Sequence, residues 1–419
     1  AEERYFVWEQ PERDGFAIGA IGSAATIDST GGRDRFRSAA AQASEIMRDA
    51  VVDADLSQVA AGPLWVGGFA FAADGGRTPE WASYPSSLMV LPEIALVRRG
   101  ETVTATATTV CRPGGDAREL GARLLARLRT LRHDPMPMVD PDPLGGYELE
   151  SVRPPQEFER AVAEAARTVA AGDLRKLVLA REVTVRAGTP FRPAAVFDAL
   201  RSAYPSCYCF CVGTPDAAFV GASPELLVRR AGAVVSTVAL AGSTRRSADP
   251  AVDDHLGERL LHSAKDLVEH RIVVRTIERS LGAHSVWVTA AEDPSLVRVA
   301  NIQHLGTPIR AQLAEPRSAI ELAGALHPTS AVGGEPWERA RPLVPALEQL
   351  DRGWYAGPVG WMDSTEDGEF CVALRCALLN GTVSHCYAGV GIVADSDPED
   401  ELAETEVKLQ AVLPALTGM

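Results

Sequence analysis

The stretch RKLVLAREVTVRAG, residues 175–188, alternates apolar and polar side chains and therefore predicts a β-strand. Four more strand-like runs follow before the next long helical pattern, namely CYCFCVG (207–213), AAFVGAS (217–223), ELLVRRAG (225–232) and AVVSTVALAG (233–242). Strands that succeed one another across turn-length gaps pair antiparallel, whereas a doubly wound parallel sheet needs a helical crossover after each strand. The region predicts the fold class α+β with a large antiparallel sheet system.

Helical patterns surround these strands. The sequence predicts a proline-started helix at 154–173, a long helix from about Asp253 to Leu281 and a closing helix from about Pro398 to Leu416. Shorter helices are predicted near Ala319 and Trp337. Further strands are predicted at GPVGWMD (357–363), FCVALRCALL (370–379) and SHCYAGVGIV (384–393).

The first 132 residues contain short β-rich runs, one helix near Phe36 to Ala54 and a second helical pattern at 116–132. Prolines and glycines then interrupt regular structure from His133 to Gly146, which predicts a connector. No catalytic spacing is recognisable before this connector.

Composition excludes several classes of protein. Hydrophobic residues make up 46% and charged residues 23%, as in an ordinary globular protein. The net charge of −15 disfavours nucleic-acid binding. The N-terminus lacks the basic start and apolar run of a secretory signal, and the apolar stretch from Ala60 to Ala73 is too short and glycine-rich to span a bilayer. We therefore expect a cytoplasmic protein with no membrane partner.

The seven cysteines are an odd number without secretory context, so free thiols are expected. Cys207, Cys209 and Cys211 alternate and could suggest zinc, but no second Cys/His pair stands at ligand spacing. Buried small hydrophobic residues in a strand are the favoured interpretation.

Two helical patterns each carry an acidic pair on one face. Asp266 and Glu269 are three residues apart, as are Glu401 and Glu404, and Lys408 lies four residues after Glu404. Carboxylate oxygens suit Mg²⁺, which commonly takes one or two protein carboxylates together with water and substrate oxygens. From spacing alone, solvated helix faces remain the commoner interpretation.

Two residues at strand ends are candidates for acid–base chemistry. Lys176 opens its strand and could serve as a general base if its stem is drawn inside. Glu225 follows a Ser-Pro turn and could present a carboxylic acid to a cavity. Exposed side chains are the ordinary alternative for both. Gly389 and Gly391 would let backbone N–H groups approach an anion, but they do not form a dinucleotide fingerprint.

Ten segments in one order resemble the chorismate-utilising enzymes, a family that includes isochorismate, salicylate, anthranilate and aminodeoxychorismate synthases. The ordered match covers roughly Leu174 to Leu413, and its segments are KLVLAREV, GASPELLV, ALAGSTRR, KDLVEH, IQHLGTPI, LHPTSAVGG, GWYAGPVGW, FCVALRCA, YAGVGIV and ELAETEVKL. The resemblance implies the fold of anthranilate synthase component I, in which helices surround two stacked antiparallel sheets. It also implies one domain over residues 1–419, in which residues 1–150 contribute strands to the same sheets and residues 151–419 form the catalytic core.

The resemblance implies a Mg²⁺ cofactor and chorismate as the small-molecule substrate. Glu269 and Glu404 correspond to the direct Mg²⁺ ligands, and Asp266 and Glu401 to outer-shell groups that hold metal-bound waters. The positions that correspond to substrate-binding residues are Gly242, Ser243, His304, Ala331, Tyr355, Arg375, Gly389, Gly391 and Lys408.

The resemblance further implies that Lys176 activates water for attack at ring C2 while Glu225 protonates the departing C4 hydroxyl. Ala241 replaces the lysine nucleophile of aminodeoxychorismate synthases, and Ala331 matches the isochorismate-forming members. Isochorismate is therefore the expected product, and no glutamine amidotransferase subunit is expected. Salicylate formation by pyruvate elimination is the runner-up, and a non-catalytic chorismate-binding regulatory subunit is the alternative of another class.

Overall fold

The computed structural model of the chain describes residues 3–29, 32, 34–53, 55–56, 58–111, 113–131 and 146–418. Helices within these ranges are α1 (Arg35–Arg48), α2 (Ala117–Thr130), α3 (Pro155–Ala170), α4 (Pro193–Ala203), α5 (Pro250–Leu261), α6 (Ala264–Gly282), α7 (Ala319–Leu326), α8 (Trp337–Glu348), α9 (Pro398–Leu409), α10 (Leu413–Thr417) and a 3₁₀ turn at Pro79–Trp81. No helix among them is both long and apolar enough to cross a membrane.

The strands form two sheets in which every pair is antiparallel. Strands of the first half are β1 (Tyr5–Gln10), β2 (Phe16–Ile21), β3 (Ala25–Ser29), β4 (Leu64–Phe69), β5 (Ser87–Leu91), β6 (Ile94–Arg99), β7 (Thr102–Ala107), β8 (Tyr147–Ser151), β9 (Lys176–Ala187), β10 (Tyr208–Gly213) and β11 (Ala218–Ser223). Those of the second half are β12 (Leu226–Ala231), β13 (Val234–Arg245), β14 (Ser285–Ala290), β15 (Ser295–Arg298), β16 (Ile302–Leu313), β17 (Gly334–Glu335), β18 (Pro358–Asp363), β19 (Gly368–Val372), β20 (Cys376–Asn380) and β21 (Val383–Ile392).

Both sheets combine strands from the two ends of the chain. The larger sheet has the order β17-β9-β21-β20-β11-β10-β1-β2-β6-β7, with β8 also paired to β9. The smaller sheet has the order β14-β16-β13-β12-β19-β18-β4-β5-β3, with β15 also paired to β16. Strands from before residue 150 therefore pair directly with later strands in each sheet. The expected connector from His133 to Gly146 lies outside the described residues, apart from Gly146.

The sheets pack face to face through apolar and aromatic side chains. Phe16 of the larger sheet meets Trp361 of the smaller one at 5.8 Å between ring centroids, and both belong to one continuous core. A second core lies between the larger sheet and α4, α9 and α10, and it contains Cys207, Cys209 and Cys211 as buried side chains. The predicted α+β class with two stacked antiparallel sheets is confirmed.

Three predicted elements are each divided in the structure. The long helix ends at Leu261 and restarts after Ser263, whose hydroxyl caps the new helix by accepting from the backbone N–H of Asp266 at 3.3 Å. The closing helix stops at Leu409 and resumes as the short α10. The FCVALRCALL strand is two strands, β19 and β20, in different sheets. Helix α4 was also missed; it separates β9 from β10, so that gap is not a turn.

Candidate active site

A cavity lies where the two sheets and helices α6 and α9 meet. Every predicted site residue lines it, although the residues come from segments more than 200 positions apart. These residues are Lys176, Glu225, Gly242, Ser243, Asp266, Glu269, His304, Ala331, Tyr355, Arg375, Gly389, Gly391, Glu401, Glu404 and Lys408.

Two neighbouring crossovers between the sheets deliver Glu225 and Arg375 to the cavity. Glu225 lies between β11 of the larger sheet and β12 of the smaller sheet, and Arg375 lies between β19 and β20. Backbone hydrogen bonds join the crossovers, from the Val372 N–H to the Glu225 carbonyl at 3.0 Å and from the Ala222 N–H to the Arg375 carbonyl at 3.1 Å. The two crossovers thus bring an acid and a cation close together, although they come from distant segments of the sequence.

Lys176 is buried at the start of β9, with only 1% of its surface exposed. Its Nζ lies 2.8 Å from Oε1 of Glu269 on α6, which places the ammonium group next to a carboxylate. Gly391 of β21 leaves room for this pair, since a β-carbon there would lie 2.5 Å from Glu269 Oε1 and 2.6 Å from Lys176 Cε. A larger residue at position 391 would therefore displace the ends of these two side chains.

The carboxyl group of Glu225 is buried in the cavity wall. Burial raises its pKa to about 7, against the opposing effect of the positive charges of Lys176, Arg375 and Lys408. A carboxyl group with this pKa can hold a proton at neutral pH and donate it. The geometry is that of a proton donor facing a polar cavity.

Helices α6 and α9 bring four carboxylates to one side of the cavity. Burial raises the pKa of Asp266 and of Glu401, and neighbouring carboxylates raise both further. Burial would likewise raise the pKa of Glu404, but Lys408 and Ser243 outweigh it and lower the value to about 2. Glu404 accepts from Lys408 Nζ at 2.7 Å and from the Ser243 hydroxyl at 2.7 Å.

This donor set fits a hard divalent cation. In the described part of the chain no three His, Cys, Asp or Glu side chains form a compact group that could hold an ion by themselves. Mg²⁺ does not need such a group, because it commonly takes one or two protein carboxylates and completes its shell with water and substrate oxygens. The crowding of acidic groups that raises the pKa of Asp266 and Glu401 is the kind of repulsion that a cation relieves.

Opposite these acids, Arg375 presents an unused donor. The residue is buried with a φ of 49°, and its Nη1 has no hydrogen-bond partner among the described residues. Its Nη2 lies 3.2 Å from Nε2 of His304, and burial together with Arg375 lowers the pKa of His304 to about 3. The histidine is therefore neutral, and the buried guanidinium is free to bind an anion.

The remaining predicted residues complete the wall around that donor. His304 Nδ1 lies 3.3 Å from the carbonyl oxygen of Gly242, which has a φ of 74° at a bulge in β13. The hydroxyl of Tyr355 lies 3.0 Å from where a β-carbon of Gly389 would be. Lys408 Nζ donates to the Gly389 carbonyl at 2.8 Å. The cavity thus combines a side that carries the buried guanidinium of Arg375 with an acidic side.

Comparison with known proteins identifies the family. The model of the chorismate binding enzyme family matches residues 1–417. The chain belongs to this family. The salicylate biosynthesis isochorismate synthase of Pseudomonas aeruginosa is 37% identical over 98% of this chain and 84% of that protein. Isochorismate synthase MenF of Bacillus subtilis is 32% identical over 99% and 88%, respectively.

A solved structure shows the same fold in this chorismate binding family. The putative 2,3-dihydroxybenzoate-specific isochorismate synthase DhbC of Bacillus anthracis has a TM-score of 0.78 and 29% identity, covering 99% of this chain and 97% of that chain. The resemblance carried by the ten motifs and the prediction of an enzyme are therefore confirmed.

Two residues with polar side chains line this cavity but were not among the predicted site residues. Lys265 lines it and pairs with Glu401 at 3.1 Å, which links α6 to α9. Its place beside Asp266 in KDLVEH was a usable signal. Tyr387 also lines the cavity and stacks on Tyr355 at 5.2 Å between ring centroids. Nothing in the sequence separates this tyrosine from an ordinary core aromatic residue.

Proposed function

We propose that this protein is an isochorismate synthase, which converts chorismate to isochorismate with the help of Mg²⁺. The observation that carries the proposal is the meeting of a buried lysine, Lys176, and a buried carboxyl group of raised pKa, Glu225, in one cavity. Support also comes from relatives named isochorismate synthase that match almost the whole chain.

In the proposed reaction Lys176 accepts a proton from water as the water oxygen bonds to ring C2. The ring double bonds shift, the bond from C4 to its hydroxyl oxygen breaks, and Glu225 supplies the proton with which that hydroxyl leaves as water. General acid and base groups commonly contribute 10²–10⁴-fold each. One water is added and one is released, so the reaction is an isomerisation.

Substrate binding is assigned to the cations of the cavity. Arg375 would hold the enolpyruvyl carboxylate with its unused Nη1, together with Tyr355 and the backbone near Gly389 and Gly391. His304, Gly242, Ser243 and Ala331 would shape the wall around the ring. This arrangement lets an acidic protein bind a dianion through local charge.

Glu269 and Glu404 would hold Mg²⁺ directly, and Asp266 and Glu401 would hold its waters. When bound, the cation would supply positive charge that favours binding of the ring carboxylate of chorismate. Support for this assignment comes from the lysines that pair with Glu269 at 2.8 Å and with Glu404 at 2.7 Å, since both carboxylates already have a cationic partner. Outer-shell partners of this kind commonly change metal affinity 10–100-fold.

The first test is a product assay on the purified chain. Chorismate with Mg²⁺ is expected to give isochorismate until the two reach equilibrium, and chelation by EDTA is expected to stop turnover until Mg²⁺ is restored. Chromatography resolves the products. Salicylate plus pyruvate would favour a salicylate synthase instead, and absence of turnover would contradict both activities.

The proposed metal site is tested by Mg²⁺ calorimetry without substrate. Glu401→Gln is expected to weaken Mg²⁺ binding roughly 10–100-fold, because it removes a charged outer-shell acceptor. Glu399→Gln, an exposed acid on the same helix, is the matched control and should leave the affinity unchanged. Equal affinities in the two variants would contradict the assigned role of Glu401.

The pH dependence of turnover follows from Glu225. Its pKa is raised to about 7 by burial, so the acid is protonated below that pH and ionised above it. Since only the protonated form can donate, kcat/KM is expected to fall as the pH rises through about 7. Measurement of kcat/KM against pH at saturating Mg²⁺ tests this decrease. A flat profile across neutral and mildly alkaline pH would contradict the role of Glu225.

A further inference from the structure

A second cavity lies between the start of α1, the loop after β4 and helix α8. Phe36, Phe71 and Trp337 line it, and the last two rings meet edge to face at 5.8 Å between centroids. It shares no lining residue with the first cavity in the described ranges. The aromatic walls suit a flat apolar ring.

A buried cation without a close counter-charge also lines this cavity. Arg35, only 7% exposed, donates from Nη2 to the carbonyl of Ala70 at 3.0 Å, while its Nε is buried without a partner among the described residues. Burial lowers its pKa to about 10, although Asp74 acts in the opposite direction, so the side chain is charged at neutral pH. A buried charge of this kind is costly unless it is paired.

None of the described acids forms an ion pair with this guanidinium. Asp351 accepts hydrogen bonds from the backbone N–H groups of residues 76 and 77, and Glu348 pairs with Arg352. Asp74 and Glu338 are exposed on the cavity wall. The cavity therefore has an aromatic interior, one buried cation and acids that are engaged elsewhere or face solvent.

His327 adds a neutral ring to the wall. Its Nε2 donates to the Phe71 carbonyl at 2.9 Å. Burial, together with the charge of Arg35, lowers the pKa of His327 to about 3, so it brings no second positive charge. Among the described arginines of this wall, Arg352 forms an ion pair with Glu348 and Arg341 is exposed to solvent. Arg35 is therefore the buried cation of the wall that has no carboxylate partner among the described residues.

We propose that the second cavity binds a small aromatic carboxylate, whose carboxylate pairs with Arg35 and whose ring packs against the wall that Phe71 and Trp337 form together. The planar guanidinium suits a carboxylate, and its Nε is a donor without a partner among the described residues. This site is separate from the proposed reaction and does not depend on it.

Benzoate is the probe, and calorimetry on the full chain measures its binding. Arg35→Gln is expected to weaken benzoate binding at least about tenfold, because a charge-assisted hydrogen bond is lost. Benzamide, which has the ring without the charge, should bind the wild-type chain correspondingly weakly. Arg341→Gln, at an exposed arginine of the same cavity, is the matched control and should change the affinity by less than about threefold.

Benzoate could also enter the first cavity, so Arg375→Gln distinguishes the two sites. Binding that survives Arg375→Gln and is lost in Arg35→Gln supports the proposal; the reverse pattern, or no binding to the wild-type chain, overturns it.

If Arg35→Gln fails to fold, Ala72→Phe obstructs the same cavity and should weaken benzoate binding. Retained binding in a folded Ala72→Phe variant would overturn the proposal. Chorismate turnover by Arg35→Gln should equal that of the wild type, so failure of the proposed function would be recognised separately.

Discussion

Replacement of Lys176 by alanine is expected to lower kcat for chorismate conversion roughly 10²–10⁴-fold, the contribution of a positioned general base. Lys176 is buried, and its Nζ lies 2.8 Å from Oε1 of Glu269. Another cation of the cavity could replace it only by moving into that position. The measurement is steady-state turnover at saturating Mg²⁺ and chorismate. A rate within a few fold of the wild type would contradict the assignment of Lys176 as the general base.

A matched control for this variant lies one residue earlier. Arg175 is half-exposed and pairs with Glu335 at 2.6 Å, so Arg175→Ala removes a cation from the same strand entry without touching the cavity. Glu335 keeps a second cationic partner, Arg279, at 3.1 Å, so the chain should stay folded and turnover should be unchanged. Lys176→Ala also leaves Glu269 without its ammonium partner, so thermal unfolding of both variants must accompany the kinetics. If the Lys176→Ala chain is folded but has lost turnover, the loss reflects a role of Lys176 in catalysis and not in folding.

The sequence predicted those parts of the fold that local patterns govern. Alternation along residues 175–188 follows the pleat of β9, and the proline and amphipathic spacing of residues 154–173 mark α3. The acidic pairs on α6 and α9 also follow from helical spacing. Each of these features depends on residues that are neighbours in sequence.

Features that depend on tertiary contacts were not predicted from local pattern. FCVALRCALL reads as one apolar strand, but the chain changes sheets at Arg375, where a φ of 49° turns the backbone. The residue is held there by the neighbouring Glu225 crossover, which lies 150 positions earlier. Likewise, the apolar spacing around 253–281 continues through the break that Ser263 caps. Motif resemblance supplied these site residues, because it compares positions without needing their contacts.

The pairing of Lys176 with Glu269 was also outside the reach of the sequence. Spacing placed each residue on its own element, and only the packing of α6 against the strands brings the two together. The interpretation of Glu269 as a solvated face residue was physically reasonable for an isolated helix. Tertiary packing is what places these two side chains together in the cavity wall.

Glu225→Gln is expected to have two effects of opposite sign. Turnover should fall roughly 10²–10⁴-fold, because glutamine cannot donate the proton that the departing hydroxyl needs. Stability above neutral pH should rise, because burial of an ionised carboxylate is costly and the amide has nearly the same shape. Equilibrium urea unfolding and steady-state kinetics on the same preparation measure the two effects.

The sign of the stability effect follows from the raised pKa of Glu225. Its folded value of about 7 lies above the ordinary 4.5, so the native state binds more protons between these values and the wild type loses stability as the pH rises through them. The difference corresponds to about 3 kcal/mol, which the glutamine variant does not lose. The two unfolding free energies should therefore diverge from mildly acidic to mildly alkaline pH.

Glu164→Gln, at an exposed acid on α3, is the control, and its unfolding free energy should follow that of the wild type at each pH. Parallel curves for Glu225→Gln and the wild type would mean that Glu225 is ionised throughout and cannot be the acid.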